Sequence, residues 1–71
     1  MNLKVGYSYR TREGWIVTIV RYDSREFYPY KGISVDEDGD YTVGYWMENG
    51  HHNMDSSPGG FDLIEELGHG A

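Results

Sequence analysis

Apolar and polar residues alternate along most of this chain, and turn-forming residues interrupt the alternation every few positions. This period of two is typical of half-buried β-strands, because successive side chains on a strand point to opposite faces of a sheet. No stretch has the apolar spacing of a helix longer than one turn. The pattern therefore predicts an all-β fold of five to six short strands without substantial helix.

The predicted strands are bounded by glycine, proline and acidic residues. The strongest turn signals are Asp38-Gly39 and Asn49-Gly50, since these pairs accept the positive φ that tight hairpins need. Pro29 and Gly32 place the third strand at an edge or a bulge, with a sharp bend at the glycine. The segments expected as strands are residues 4–10, 15–22, 27–35, 41–46, 51–54 and, as a short strand or turn, 61–65.

The chain has 71 residues and no cysteine. A domain of this size buries only about 60% of its unfolded surface, and no disulfide can compensate. Closing the sheet into a small SH3-like antiparallel barrel removes exposed edges, so we expect such a barrel over residues 1–67 and a flexible end at 68–71. An open meander that dimerises is the alternative. The predicted core consists of Val5, Tyr7, Val17, Ile19, Ile33, Val43, Tyr45, Phe61, Leu63 and Ile64.

The charges are unevenly distributed. All six Lys and Arg residues lie within residues 1–31 beside three acids, whereas residues 32–71 hold nine acids and no Lys or Arg. The net charge of −6 disfavours non-specific binding of nucleic acid. Either the early cations form a local patch for a small anion, or charges from the two halves meet across neighbouring strands and neutralise each other.

Several short fragments stand in a distinctive order along the chain: Y-R-T-R-E-G at 9–14, Y-P at 28–29, G-I at 32–33, D-G at 38–39, E-N-G-H at 48–51, Ser57 and D-L-I-E at 62–65. In order and spacing they resemble a widespread group of small, mostly uncharacterised phage and prophage proteins. The chain departs from the group at Trp15, at Tyr30-Lys31 and at His51. The resemblance implies an accessory phage protein in the cytoplasm of an infected bacterium, and it implies no reaction.

The residues give little basis for catalysis or metal binding. There is no cysteine and no serine in a Gly-x-Ser-x-Gly context, and a small barrel has little room for a catalytic cleft. The acids of residues 36–40 fit a hairpin turn better than a calcium loop. His51 and His52, as neighbours on a strand, would point to opposite faces. We expect no enzyme activity, no cofactor and no metal. Membrane association is not expected either, because no apolar run is long enough and no signal-peptide core follows the start.

Eleven aromatic residues exceed what such a small domain can bury. Exposed Tyr and Trp are enriched at binding surfaces, where they suit a nucleobase, a caged cationic side chain or a protein surface. The alternative is that Tyr simply fits half-buried strand faces.

These observations favour a non-enzymatic counter-defence protein, a homo-oligomeric sponge that sequesters a small anionic ligand such as a nucleotide immune signal. The alternative is a protein–protein interaction module that inhibits or adapts a bacterial host enzyme through an acidic and aromatic surface. In the sponge, cations hold phosphate, aromatic rings stack and polar groups bind the base or sugar. The residues assigned to these roles are Arg10 and Arg12, then Tyr28, Tyr30 and Trp46, then His51, Asn53 and Ser57.

Overall fold

The structure is a computed structural model, and it describes residues 3–52 and 59–69. These residues form one five-stranded antiparallel sheet with the strand order β4-β3-β2-β1-β5. The predicted all-β class is confirmed, and the described residues contain no helix that is able to span a membrane. The strands are β1 (Tyr7–Thr11), β2 (Ile16–Tyr22), β3 (Tyr30–Val35), β4 (Tyr41–Trp46) and β5 (Leu63–His69).

The sheet curls but does not close into the expected barrel. In the described ranges, β4 and β5 are the two edge strands and no ladder joins them. The Gly50 carbonyl accepts a hydrogen bond from the Leu63 amide at 3.0 Å, and the Trp46 indole donates one to the Phe61 carbonyl at 2.7 Å. Over the residues that the structure describes, these two hydrogen bonds rather than a ladder connect the end of β4 to the start of β5.

The core lies on one face of the sheet, which we call the inner face. Gly32 and Gly44 are register partners on β3 and β4. A Cβ at Gly44 would stand 2.5 Å from the Trp46 ring, and one at Gly32 would stand 2.5 Å from Val17 and 2.9 Å from Trp46. The two glycines therefore let the indole lie flat against the sheet. The buried apolar residues are Leu3, Tyr9, Val17, Ile19, Trp46 and Leu63.

The position of Trp46 explains two of the errors in the predicted core, Val43 and Tyr45. Because it faces inward, alternation turns Val43 and Tyr45 to the outer face, where both are exposed. Val17, Ile19 and Leu63 are buried as predicted. Tyr7 and Ile33 are half-buried, whereas Val5, Phe61 and Ile64 are exposed.

Several predicted boundaries also change. β3 is an inner strand rather than an edge, and the register shift beside Gly32 lies in β2, between Ile19 and Arg21. Gly32 itself makes room for Val17 and Trp46. Residues 27–29 precede β3 instead of belonging to it, and His51 and His52 are not in a strand. β5 continues through Gly68 and His69, which pair with Ser8 and Tyr7, so these two residues are not part of a free end.

The predicted turns are confirmed. Gly39 and Gly50 both have positive φ, of 85° and 86°. The Asp36 carboxylate accepts hydrogen bonds from the amides of Asp38 and Asp40, each at 3.0 Å. This carboxylate therefore organises the hairpin between β3 and β4.

Candidate ligand-binding site

Four of the six cationic side chains are engaged by carboxylates. Three of these ion pairs join the first half of the chain to its acidic second half, because β5 returns to pair with β1. The expectation that opposite charges meet across neighbouring strands is thereby confirmed for these pairs. The pairs are Lys4–Glu66 at 3.8 Å, Arg10–Glu65 at 3.4 Å, Arg12–Asp62 at 4.0 Å and Arg25–Asp23 at 3.1 Å.

Arg21 and Lys31 are the two remaining cations, and neither has an ion-pair partner in the part of the chain that the structure describes. They face each other in register on β2 and β3. Lys31 is also the register partner of Tyr45 on β4. Directly paired residues share a face of the sheet, so two free cations and one ring form a row on the outer face.

This row borders a concavity of about 380 Å³, which we call the basic cleft. Tyr28 lies at its wall, with its ring against that of Phe27 in an edge-on arrangement at 5.1 Å. Tyr28 and Tyr45 also border an adjoining hollow of about 220 Å³. The residues that line the basic cleft are Arg21, Asp23, Glu26, Phe27, Tyr28, Pro29, Lys31 and Tyr45.

One of the two acids in the basic cleft is neutralised locally. Arg25 binds both carboxylate oxygens of Asp23, at 3.1 and 3.2 Å, and its backbone amide donates to the same group. These hydrogen bonds hold the pKa of Asp23 below its usual range, so the group is ionised and paired at neutral pH. Glu26 is exposed and is the one cleft acid without an ion pair among the described residues. The free charges of the cleft are thus two positive and one negative.

The structure does not bring the predicted site residues together. Arg10 and Arg12 lie at the contact of β1 with the β5 side of the sheet, where carboxylates engage both. Tyr28 lines the basic cleft, whereas neither arginine does. Among the described residues, these two arginines therefore do not share an aromatic concavity with Lys31.

The other predicted residues have structural contacts of their own. Tyr30 is half-buried, with its ring 4.7 Å from that of Tyr22. Trp46 is only 3% exposed, and its indole N–H is already bonded to a carbonyl, so it belongs to the core. Asn53 and Ser57 lie outside the described residues.

His51 is held by a buried carboxylate, Asp62. Asp62 accepts hydrogen bonds from the His52 amide at 2.9 Å, the Gly59 amide at 3.0 Å and the His51 Nδ1 at 3.1 Å. Burial by itself raises the pKa of Asp62, but these hydrogen bonds outweigh burial and hold the pKa below its usual value. His51 therefore serves the connection between β4 and β5.

Sequence reasoning missed Arg21, although the pattern contained a signal for it. The segments of β2, β3 and β4 hold no Asp or Glu, whereas β5 holds Glu65 and Glu66. Among the described residues, cations on strands without acidic neighbours therefore form no ion pair, whereas the cations beside β5 do. The strand order, rather than the local sequence, decides which cations are available.

Comparison of the chain with known protein families, with curated proteins and with solved structures finds no match. Within residues 3–52 and 59–69, no group of three or more His, Asp or Glu side chains is placed to hold a metal ion.

Proposed function

We propose that this protein is a non-enzymatic binding module for a small anionic ligand that carries a planar ring, such as a nucleotide, and that the ligand occupies the basic cleft. One observation carries the proposal. Carboxylates engage four of the six cations, and the two that have no ion-pair partner among the described residues, Arg21 and Lys31, border the tyrosine-lined concavity. On an acidic chain, an isolated cation pair beside aromatic rings is the local feature that attracts a phosphate.

The chemistry of the cleft fits both parts of such a ligand. An arginine presents several N–H groups in a planar fork that matches phosphate oxygens, and a lysine adds a point charge. Tyr28 and Tyr45 offer rings for stacking, and stacking of a base on an aromatic side chain contributes about 1–3 kcal/mol. The volume of about 380 Å³ is within the range of small-molecule sites.

The setting of this activity is part of the same proposal. The resemblance to phage and prophage proteins supports a role in the cytoplasm of an infected bacterium, where the module sequesters a nucleotide signal of host defence. A homo-oligomer would raise the local density of clefts. It is supported by the edge position of β4 and by the exposed Tyr41 on the outer face of that strand.

The test is calorimetric titration and thermal melting of the protein with linear mononucleotides, cyclic mononucleotides and cyclic dinucleotides at low and high salt. A specific ligand raises the melting temperature by mass action. The Arg21→Ala/Lys31→Ala double variant should weaken binding at least about tenfold, because it removes both phosphate contacts. Binding by the unaltered protein should also weaken as salt increases.

The matched control is Lys4→Ala/Arg10→Ala, which removes one lysine and one arginine that are already paired with Glu66 and Glu65. It should leave affinity within about twofold, a difference of less than 0.5 kcal/mol. If no nucleotide in the panel binds, or if the control pair matters as much as Arg21 and Lys31, the proposed function is wrong.

A further inference from the structure

A second concavity, on the inner face, is lined by nine residues, four of which carry rings. It measures about 250 Å³, and we call it the aromatic pocket. Its rings pack against one another: Trp15 lies 6.5 Å from Phe61, and His52 lies 5.7 Å from Phe61 and 5.8 Å from Trp46. Trp46 is fixed by its hydrogen bond to the Phe61 carbonyl, so this wall of the pocket is preformed.

The aromatic pocket contains one polar group without a partner. Ser34 is 7% exposed, and its Oγ has no hydrogen-bond partner among the described residues. A buried hydroxyl without a partner is unfavourable, and such groups in native proteins are nearly always satisfied. An unsatisfied hydroxyl at the wall of a pocket points to a ligand that supplies the missing hydrogen bond. Because this Oγ is almost inaccessible to solvent, neighbouring side chains must shift for the ligand to reach it.

The imidazole of His52 adds a second polar group. Its Nδ1 lies 2.9 Å from the Tyr45 carbonyl, which is able only to accept, so Nδ1 carries the proton. In the imidazole tautomer with its proton on Nδ1, Nε2 is an acceptor. Ser34 and His52 together give the pocket acceptors for a ligand that donates N–H groups.

An acidic groove of about 490 Å³ continues from the aromatic pocket and shares Trp15 and Ser34 with it. Four carboxylates line this groove, and none of them forms an ion pair in the described ranges. Their combined charge attracts cations and repels nucleic acid. The carboxylates belong to Glu13, Asp36, Glu37 and Asp38.

We propose that the aromatic pocket and the acidic groove bind a basic segment of a partner protein, one of whose arginine side chains enters the pocket. A guanidinium stacks on the indole of Trp15, which is 37% exposed, and is attracted by its π electrons. Its N–H groups donate to Ser34 Oγ and to Nε2 of His52, while further cations of the segment meet the acidic groove. This surface is separate from the basic cleft and does not depend on the proposed function.

Tryptophan fluorescence offers a direct readout, because both tryptophans of the chain, Trp15 and Trp46, line the aromatic pocket. The probe is a short synthetic peptide with a central arginine and flanking lysines. Two matched peptides replace that arginine by citrulline, which has nearly the same shape without the charge, or by leucine. The arginine peptide should change the emission in a saturable way and bind at least about tenfold more tightly than either matched peptide.

Two protein variants test the assigned contacts. Ser34→Ala should weaken the arginine peptide several-fold without reducing thermal stability, because it removes a hydroxyl that has no partner in the free protein. Glu37→Gln/Asp38→Asn should weaken binding more at low salt than at high salt, and Glu65→Gln/Glu66→Gln should leave it unchanged. The proposal is overturned if the leucine or citrulline peptide binds as well as the arginine peptide, if no peptide binds, or if Ser34→Ala binds normally.

Discussion

Asp62 is the position at which a single substitution should damage the fold most clearly. Its side chain is 3% exposed, and all three of its close partners are N–H groups, from His52, Gly59 and His51. Arg12 lies further away, at 4.0 Å. Asp62→Asn keeps the shape of the side chain, but the amide NH₂ then faces at least one N–H donor. One buried donor loses its acceptor, and the remaining bonds lose the assistance of the charge.

The magnitude follows from these contacts. An unsatisfied buried polar group costs about 1–3 kcal/mol, and hydrogen bonds to charged groups are stronger than neutral ones by about 1 kcal/mol. We therefore expect Asp62→Asn to lower the free energy of unfolding by about 2–4 kcal/mol. A chain of this length has a total stability of about 4–10 kcal/mol, so the loss is a large fraction of it. The corresponding fall in melting temperature is roughly 10–30 °C.

The assay is urea-induced unfolding followed by circular dichroism, with the slope m compared between variants to confirm a common two-state transition. Asp38→Asn is the matched control, because it makes the same chemical change at an exposed position in the β3–β4 hairpin. It should change stability by no more than about 0.5 kcal/mol. Equal stabilities for Asp62→Asn and Asp38→Asn would refute the structural role assigned to the buried carboxylate.

Three further predictions concern the same framework. The pKa of Asp62 is lower in the folded chain than its unfolded value of about 3.9. The stability that ionised Asp62 contributes is therefore complete above that pH and is lost as the pH falls through the folded pKa. Unfolding measured across acidic pH should show this loss of stability in the unaltered protein and not in Asp62→Asn. Gly32→Ala should destabilise by about 1–3 kcal/mol in urea unfolding, since its Cβ would overlap Val17 and Trp46. Tyr9→Phe should lower stability by about 0.5–1.5 kcal/mol in the same assay, because it removes the hydroxyl that accepts from the Lys4 amide at 2.8 Å.

The class of the fold could be predicted from sequence because alternation and turn chemistry are local. β2 and β4 were located almost to the residue, and the Asp38-Gly39 and Asn49-Gly50 turns were identified from the residues that accept positive φ. The same local signals could not show that β5 returns along β1, since that pairing joins residues 52 to 62 positions apart, from Thr11↔Leu63 to Tyr7↔His69.

The core and the site depend on this long-range pairing. Which face of β4 is buried is decided by Gly44, whose missing side chain makes room for Trp46; the alternation alone fits either face. Likewise, Arg10 and Arg12 looked available in the sequence because Glu65 and Asp62 are distant along the chain. The absence of Asp and Glu from β2, β3 and β4 favours Arg21 and Lys31 as cations without ion pairs. That inference is possible only once the strand order is known.

The return of β5 along β1 also separates the charges that remain free. Free cations lie near the start of β3, at Lys31 and its partner Arg21, and free acids follow its end, at Asp36, Glu37 and Asp38. Two sites of opposite charge on one small sheet should therefore bind independently. Arg21→Ala/Lys31→Ala should leave the arginine peptide's fluorescence titration unchanged, and Ser34→Ala should leave nucleotide titrations unchanged. Loss of both activities in either variant would mean that one shared surface, rather than two, carries the binding.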